Sequence, residues 1–192
     1  RVLRNHHYFP KMCPPSCGME INLRRVERNP RIDVRTVTTV TAAELVDDGW
    51  RVTLTTAPAW VNARCTACGD CSDVCPQFAP NEFDIGLATR NAIYLPFAQA
   101  VPSNYLIDMD LCLNKDGVRV CEKCVVACER ACIDFNDIDE EETIEVGTIV
   151  VATGVDVFDA SEIPQYQYQR TPNVITSLEF ERMINAGGPT NG

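Results

Sequence analysis

Two runs of cysteine carry the chemistry of this 192-residue chain. The first, "CTACGDCSDVCP", places Cys65, Cys68, Cys71 and Cys75 in the order C-x2-C-x2-C-x3-C, with Pro76 next. Thiolates two residues apart let one loop wrap three corners of a cubane iron–sulfur cluster, with backbone N–H groups facing its sulfurs. The fourth cysteine, one turn later, is carried away from that cluster. Ala67 and Gly69 are small enough for the backbone to come close. The second run, "CLNKDGVRVCEKCVVACERAC", holds five cysteines between Cys112 and Cys132. Cys121, Cys124 and Cys128 repeat the spacing of Cys68, Cys71 and Cys75. The first ligand of this run is then Cys112, with eight residues between it and Cys121 instead of two, and Asp116-Gly117 as the turn of the longer loop.

The first run is that of the bacterial ferredoxins, in which the fourth cysteine ligates the other of two clusters. The spacing therefore predicts two 4Fe-4S clusters that exchange a ligand. Cluster I takes Cys65, Cys68, Cys71 and Cys128; cluster II takes Cys112, Cys121, Cys124 and Cys75. The alternative metal is zinc, since C-x2-C pairs also close tetrahedral sites. That reading makes the chain a zinc-stabilised interaction module without a redox role. Disulfides fit a secreted chain better than these tight runs and the odd total of 11 cysteines. Cys132 lies one helical turn beyond Cys128 and reads as a small buried hydrophobe, with an alternate ligand as the other reading. Cys13 and Cys17, in "CPPSC", fit a redox pair, part of a shared metal site, or two plain thiols. A redox pair there would give the chain thiol chemistry of its own. His6 and His7 read as solvated.

Composition sets the frame. The net charge is −10, which argues against nucleic acid as a partner. An acidic surface suits solubility, and also steering toward a basic redox partner. The hydrophobic fraction of 45% is that of a globular protein. No apolar run is long enough to span a bilayer, and no secretory leader is visible. The chain starts at Arg1 among basic residues and reads as a piece of a longer polypeptide.

Around the cysteines the texture is different. Residues 1–18 read as irregular. Residues 19–28 read as a helix with Met19, Leu23 and Val26 on one face. "RIDVRTVTTVTAAELVDDGWRVTLTT" reads as two antiparallel strands: Ile32 and Val34 alternate on one, Trp50, Val52 and Leu54 on the other, and Asp48-Gly49 makes the turn. The acidic "DIDEEE" reads as a solvated turn. "TIEVGTIVVATG" reads as a short alternating strand followed by a buried apolar one. "TSLEFERMIN" opens on a capping box, Thr176 with Glu179. Phe180, Met183 and Ile184 supply its apolar face, and Gly187-Gly188 its stop. The cysteine block thus interrupts a strand meander, as an inserted domain would.

The order of "CTACGDCSDVCP", "NEFDIGLATRNAIYLPFAQAVPSNYLID", "CEKCVVACERACIDF", "VGTIVVATGVDVFDASEIPQY" and "PNVITSLEFERMINAGGPT" resembles the A subunit of heterodisulfide reductase. It also resembles related flavoproteins, including subunits of the quinone-interacting membrane-bound oxidoreductase complex. The resemblance runs from about residue 19 to the end. It implies an α+β fold: a two-cluster bacterial ferredoxin-like domain inserted into part of a thioredoxin-reductase-type FAD-binding flavoprotein fold, a β-meander plus a return strand. Residues 1–60 would be a partial flavoprotein segment, 61–142 the inserted ferredoxin-like domain, and 143–192 the return to the flavoprotein fold. Thr153 and Gly154, ending "TIVVATG", would lie near the flavin nucleotide of the full-length parent protein. The fingerprint G-x-G-x-x-G is absent here, so this piece is not expected to hold FAD by itself. The resemblance further implies part of an oxidoreductase, with electron transfer between a flavin and a partner redox protein. It implies other redox subunits as partners, no membrane span of its own, and a place in the cytoplasm or at the inner face of the membrane through those subunits. Cys132 stands where relatives carry a small residue such as alanine.

Overall fold

Strands β1 (Thr38–Val46), β2 (Gly49–Thr56) and β7 (Glu140–Val146) form an antiparallel sheet with β2 in the middle. The computed structural model describes residues 15–97, 100–154 and 156–192. The chain forms two compact units. One gathers residues 30–78 and 91–152, the sheet and both cysteine runs; the other gathers residues 15–29, 79–90 and 153–192.

In the first unit, Val52 and Leu54 of β2 are buried, following the alternation read from the sequence. The hairpin differs in detail. Val46 pairs with Gly49, so the two-residue turn is Asp47-Asp48 and Gly49 opens β2. The glycine is required by the neighbouring strand: its φ is +149°, and a Cβ there would run into the Val146 carbonyl oxygen. Thr41 is the extra residue of a bulge, where the register shifts between Val40 and Ala42. Ile32 and Val34 precede β1 in exposed irregular backbone, because β2 is used up once Thr56 has paired with Thr38.

The acidic run is not a turn throughout. Glu140, Glu141 and Glu142 begin β7 and pair with Thr56, Thr55 and Leu54. Cross-strand pairing outweighs weak intrinsic β-propensity. Ion pairs from Arg35 to Glu142 and from Arg51 to Glu145 offset the crowded charge. The apolar strand expected over "TIVVATG" is also absent. Residues 147–154 are irregular and exposed, with Val150 and Val151 in solvent. A buried strand needs pairing neighbours, and none of the described strands pairs with this segment.

The cysteine-rich part is held by short pairings. Ile93 and Tyr94 (β5, Ile93–Tyr94) pair with Ile107 and Leu106 (β6, Leu106–Ile107). Val61 bridges Ile133, with the Asn62 N–H donating to the Cys132 carbonyl at 2.9 Å and the Asp134 N–H to the Trp60 carbonyl at 2.9 Å. Two short helices belong to the runs: α2 (Asp70–Asp73) and α3 (Lys123–Ala127). The core is built of Val61, Ile93, Ile107 and Ile133 together with the sulfurs of Cys71, Cys124 and Cys132.

In the second unit, α1 (Pro15–Glu27) starts before the expected residue 19. Proline fits the first turn of a helix, where its missing N–H is not needed. Met19, Leu23 and Val26 are its half-buried positions. Strands β3 (Phe78–Pro80) and β4 (Thr89–Asn91) pair. Between them lies a 3-10 turn over Glu82–Asp84. Its buried Asp84 accepts from Arg182 at 2.8 Å, which ties this turn to α4 (Ser177–Met183). The capping box is present: Thr176 Oγ1 accepts from the Glu179 N–H, and the Glu179 carboxylate accepts from the Thr176 N–H. The buried face is not the apolar one, however. Phe180 and Ile184 are exposed, while Glu179 and Glu181 are buried. Tyr168 and Thr176 bind Glu179 directly, so polar partners decide which side turns inward. The helix also ends at Met183, before Gly187. Gly188 serves a close approach instead, since a Cβ there would run into the Arg182 carbonyl.

Candidate metal centres

Each cysteine run builds the same local device. The Ala67 N–H donates to the Cys65 sulfur at 3.4 Å, and the Asn114 N–H donates to the Cys112 sulfur at 3.5 Å. Each run then enters a short helix whose cysteine is buried, Cys71 on α2 and Cys124 on α3. Ala67 and Gly69 both have positive φ, which turns the first loop tightly back on itself. Cys75 is fixed by Asn91, whose amide donates to the Cys75 carbonyl at 2.9 Å and whose oxygen accepts from Ser72.

The cysteines line two cavities. One, of about 180 Å³, is lined by Cys65, Cys68 and Cys71 of the first run and by Cys128 and Cys132 of the second, with Tyr105 alongside. The other, of about 20 Å³, is lined by Cys112, Cys121 and Cys124 of the second run and by Cys75 of the first. All nine cysteines with described side chains are free thiols. Among the described residues, no three Cys, His, Asp or Glu side chains gather closely enough to hold a metal ion. The thiols surround space instead of converging on a point.

Electrostatics follow the same grouping. Burial pushes the Cys71 thiol up to about 12, and the charges of Cys65 and Cys68 push the same way. Burial pushes Cys124 up to about 11, with Cys112, Cys121 and Cys75 adding to it. Cys112 is raised by burial, against the opposing Asn114 N–H. Thiolates so crowded repel one another, and a positively charged group among them relieves that repulsion while displacing the protons. Cys128 behaves differently. Burial raises it, but the N–H groups of Cys132, Arg130 and Ala131 and the Cys132 side chain outweigh burial and bring it below the ordinary thiol value.

As a test of fit, the donor sets suit iron–sulfur chemistry: five thiols line the first cavity and four the second, and N–H groups are aimed at the Cys65 and Cys112 sulfurs. The first cavity has the greater room. Thr153 and Gly154 are exposed, and a Cβ placed on Gly154 would meet nothing within 4 Å. Cys13, His6 and His7 lie outside the described residues, and Cys17 is described only as backbone of α1.

No family model matches the chain. Curated proteins do. It is 45% identical over 168 residues to the iron-sulfur A subunit of the CoB–CoM heterodisulfide reductase of Methanocaldococcus jannaschii, covering 87% of this chain and 25% of that protein. It is 40% identical over 185 residues to the A subunit of the H(2):CoB-CoM heterodisulfide,ferredoxin reductase of Methanothermobacter marburgensis, covering 96% of this chain and 27% of that protein. A protein of Archaeoglobus profundus, described as like the A subunit of heterodisulfide reductase, is 35% identical over 204 residues, covering 96% of this chain and 29% of that protein. The chain belongs to the family of heterodisulfide reductase A subunits. It spans about a quarter of the length of the first two of these relatives.

Within this heterodisulfide reductase A-type segment, one residue escaped the sequence reading. Asn114 is 3% exposed. Its side-chain oxygen accepts from the N–H groups of Val120 and Cys121, both at 2.9 Å, and its amide donates to the Cys121 carbonyl at 2.7 Å. The eight-residue loop is thereby closed at its neck, which brings Cys112 and Cys121 to one cavity. An Asn two residues after the first ligand of an unusually long spacer was the available signal.

Proposed function

We propose that this segment is the electron-relay part of a heterodisulfide reductase A-like subunit, holding two 4Fe-4S clusters on interlocked cysteine quartets. Cys65, Cys68, Cys71 and Cys128 hold the first; Cys112, Cys121, Cys124 and Cys75 hold the second. The observation that carries this is the exchange of lining: each cavity takes three cysteines of one run and is completed from the other. In this reading residues 61–142 are a two-cluster ferredoxin-like domain inserted into a thioredoxin-reductase-type flavoprotein, whose meander and return strand come from residues 1–60 and 143–192.

The clusters supply one-electron redox chemistry when bound. The protein's part is to hold them close together, exclude water and set their potentials. Backbone N–H groups at Cys65, Cys112 and Cys128 stabilise negative charge on ligand sulfur. The acidic surface pushes potentials down, because reduction adds negative charge. The names of relatives include ferredoxin and the CoB-CoM heterodisulfide. We accordingly place the segment between other centres of its own subunit, the family's FAD among them, and further redox subunits. No described helix is long and apolar enough to cross a membrane. Unpaired thiols suit a reducing compartment, so we assign the protein to the cytoplasm, with any membrane contact made through partners. The zinc-module reading is the second one, and cavities surrounded by sulfur favour it less than convergent ligands would.

Rapid-freeze EPR on the intact complex tests the relay. Cluster signals should appear and decay within a single turnover. Clusters that stay oxidised throughout turnover would contradict the relay.

A further inference from the structure

The first cavity carries one thiol more than a cubane has corners. Cys132 lines it beside Cys65, Cys68, Cys71 and Cys128 and is only 3% exposed. Its sulfur lies 3.3 Å from that of Cys128, on the cavity wall it shares with Cys65. Two sulfurs in such contact do not serve as two corners of one cubane, whose ligands reach separate irons.

The backbone holds this contact in place. Cys128 is the C-cap of α3. The Ala131 N–H returns to the Cys128 carbonyl at 3.0 Å, with Ala131 at a φ of +46°. The Arg64 guanidinium donates to the Ala131 carbonyl at 2.6 Å, and the Asn62 N–H to the Cys132 carbonyl at 2.9 Å. The Cys132 side chain is therefore directed at the Cys65 and Cys128 corners by bonds its own sulfur does not make. Of the two thiols in contact, Cys128 is the one whose spacing from Cys121 and Cys124 repeats that of Cys75 from Cys68 and Cys71. Cys132 is the more deeply buried, and a second charge beside Cys128 would be strongly disfavoured there.

We propose that Cys132 is a positioning residue whose neutral S–H donates to the Cys128 ligand sulfur and raises the potential of the first cluster relative to the second. This rests on the two-cluster reading above. A hydrogen bond to ligand sulfur draws off negative charge and so stabilises the reduced state. The effect is local, because the second cavity is lined by neither Cys128 nor Cys132.

The test uses the full chain, prepared anaerobically with its clusters, as wild type, Cys132→Ala and Cys132→Ser. Iron and sulfide are counted, and each cluster is titrated redox-potentiometrically by EPR. Iron content should be the same in all three. In Cys132→Ala one cluster's midpoint potential should fall while the other's stays put, and Cys132→Ser, which keeps an O–H donor, should recover it. An unchanged midpoint in Cys132→Ala would overturn the proposal. So would loss of about four irons in that variant, which would make Cys132 a ligand. A wild-type chain with about four irons or fewer would instead overturn the two-cluster reading, and this proposal with it.

Discussion

Asn114 does for the second run what two-residue spacing does for the first. Its three hydrogen bonds close a loop whose length would otherwise leave Cys112 and Cys121 apart. Asn114→Ala removes three hydrogen bonds from part-buried backbone groups, at about 0.5–1.5 kcal/mol each. The Cys112–Cys121 site should then lose its iron first under a chelator challenge, while the Cys65–Cys68–Cys71 site keeps its own. Site-resolved EPR during the challenge checks this, and equal loss from both sites would count against the clamp. The cysteine pattern itself was legible because ligand spacing is a local property of the chain. The clamp was only hinted at by an Asn in a long spacer, because its burial depends on the loop folding back on it. Spacing put Cys132 on the side of Cys128 by continuing a helix, but α3 ends at Ala127; the shared cavity comes instead from the positive-φ turn at Ala131 and from pairing with residues near Val61.

Among the elements, α4 shows how a local signal can be right and its consequence wrong. The capping box formed where Thr176 and Glu179 indicated it, since both partners lie within one helical turn. The inward face depended on distant polar groups and could not be read from periodicity. Burial raises the Glu179 carboxyl, but hydrogen bonds from the Thr176 N–H, the Tyr168 hydroxyl and the Thr176 side chain outweigh it, so its value is lowered overall. The sign follows: a depressed folded-state value stabilises above the unfolded value of about 4.3, and this is lost as pH falls through the lower folded one. Hydrogen-exchange protection of α4 amides should therefore drop as pH falls below about 4.3 and through the lower folded value. The drop should be smaller in Glu179→Gln. Identical acid profiles in the two proteins would remove Glu179 from the account. "TIVVATG" illustrates the opposite limit of sequence reading. Its residues are strand formers, yet a strand exists only against partners, and none of the described strands pairs with it. The Asp48-Gly49 turn was misplaced by one residue because the glycine answers to Val146 across the sheet, not to the turn.

Across the whole chain, sulfur stands where a core would ordinarily have hydrocarbon. The cysteine-bearing unit packs Cys71, Cys124 and Cys132 among four aliphatic side chains, a small apolar core. Small domains with so little to bury are commonly secured by metal, and ligand binding to the folded state adds directly to its stability. In the two-cluster reading proposed above, fold and cofactor are one problem: the quartets would position the clusters, and the clusters would hold the quartets against their own repulsion. Elemental analysis with EPR, on chain prepared anaerobically and then reduced, tests this most directly. The expected result is about eight irons and eight sulfides per chain, four of each for each cubane, with signals from two interacting clusters. About four irons or fewer after full reconstitution, or colourless protein carrying stoichiometric zinc, would contradict it.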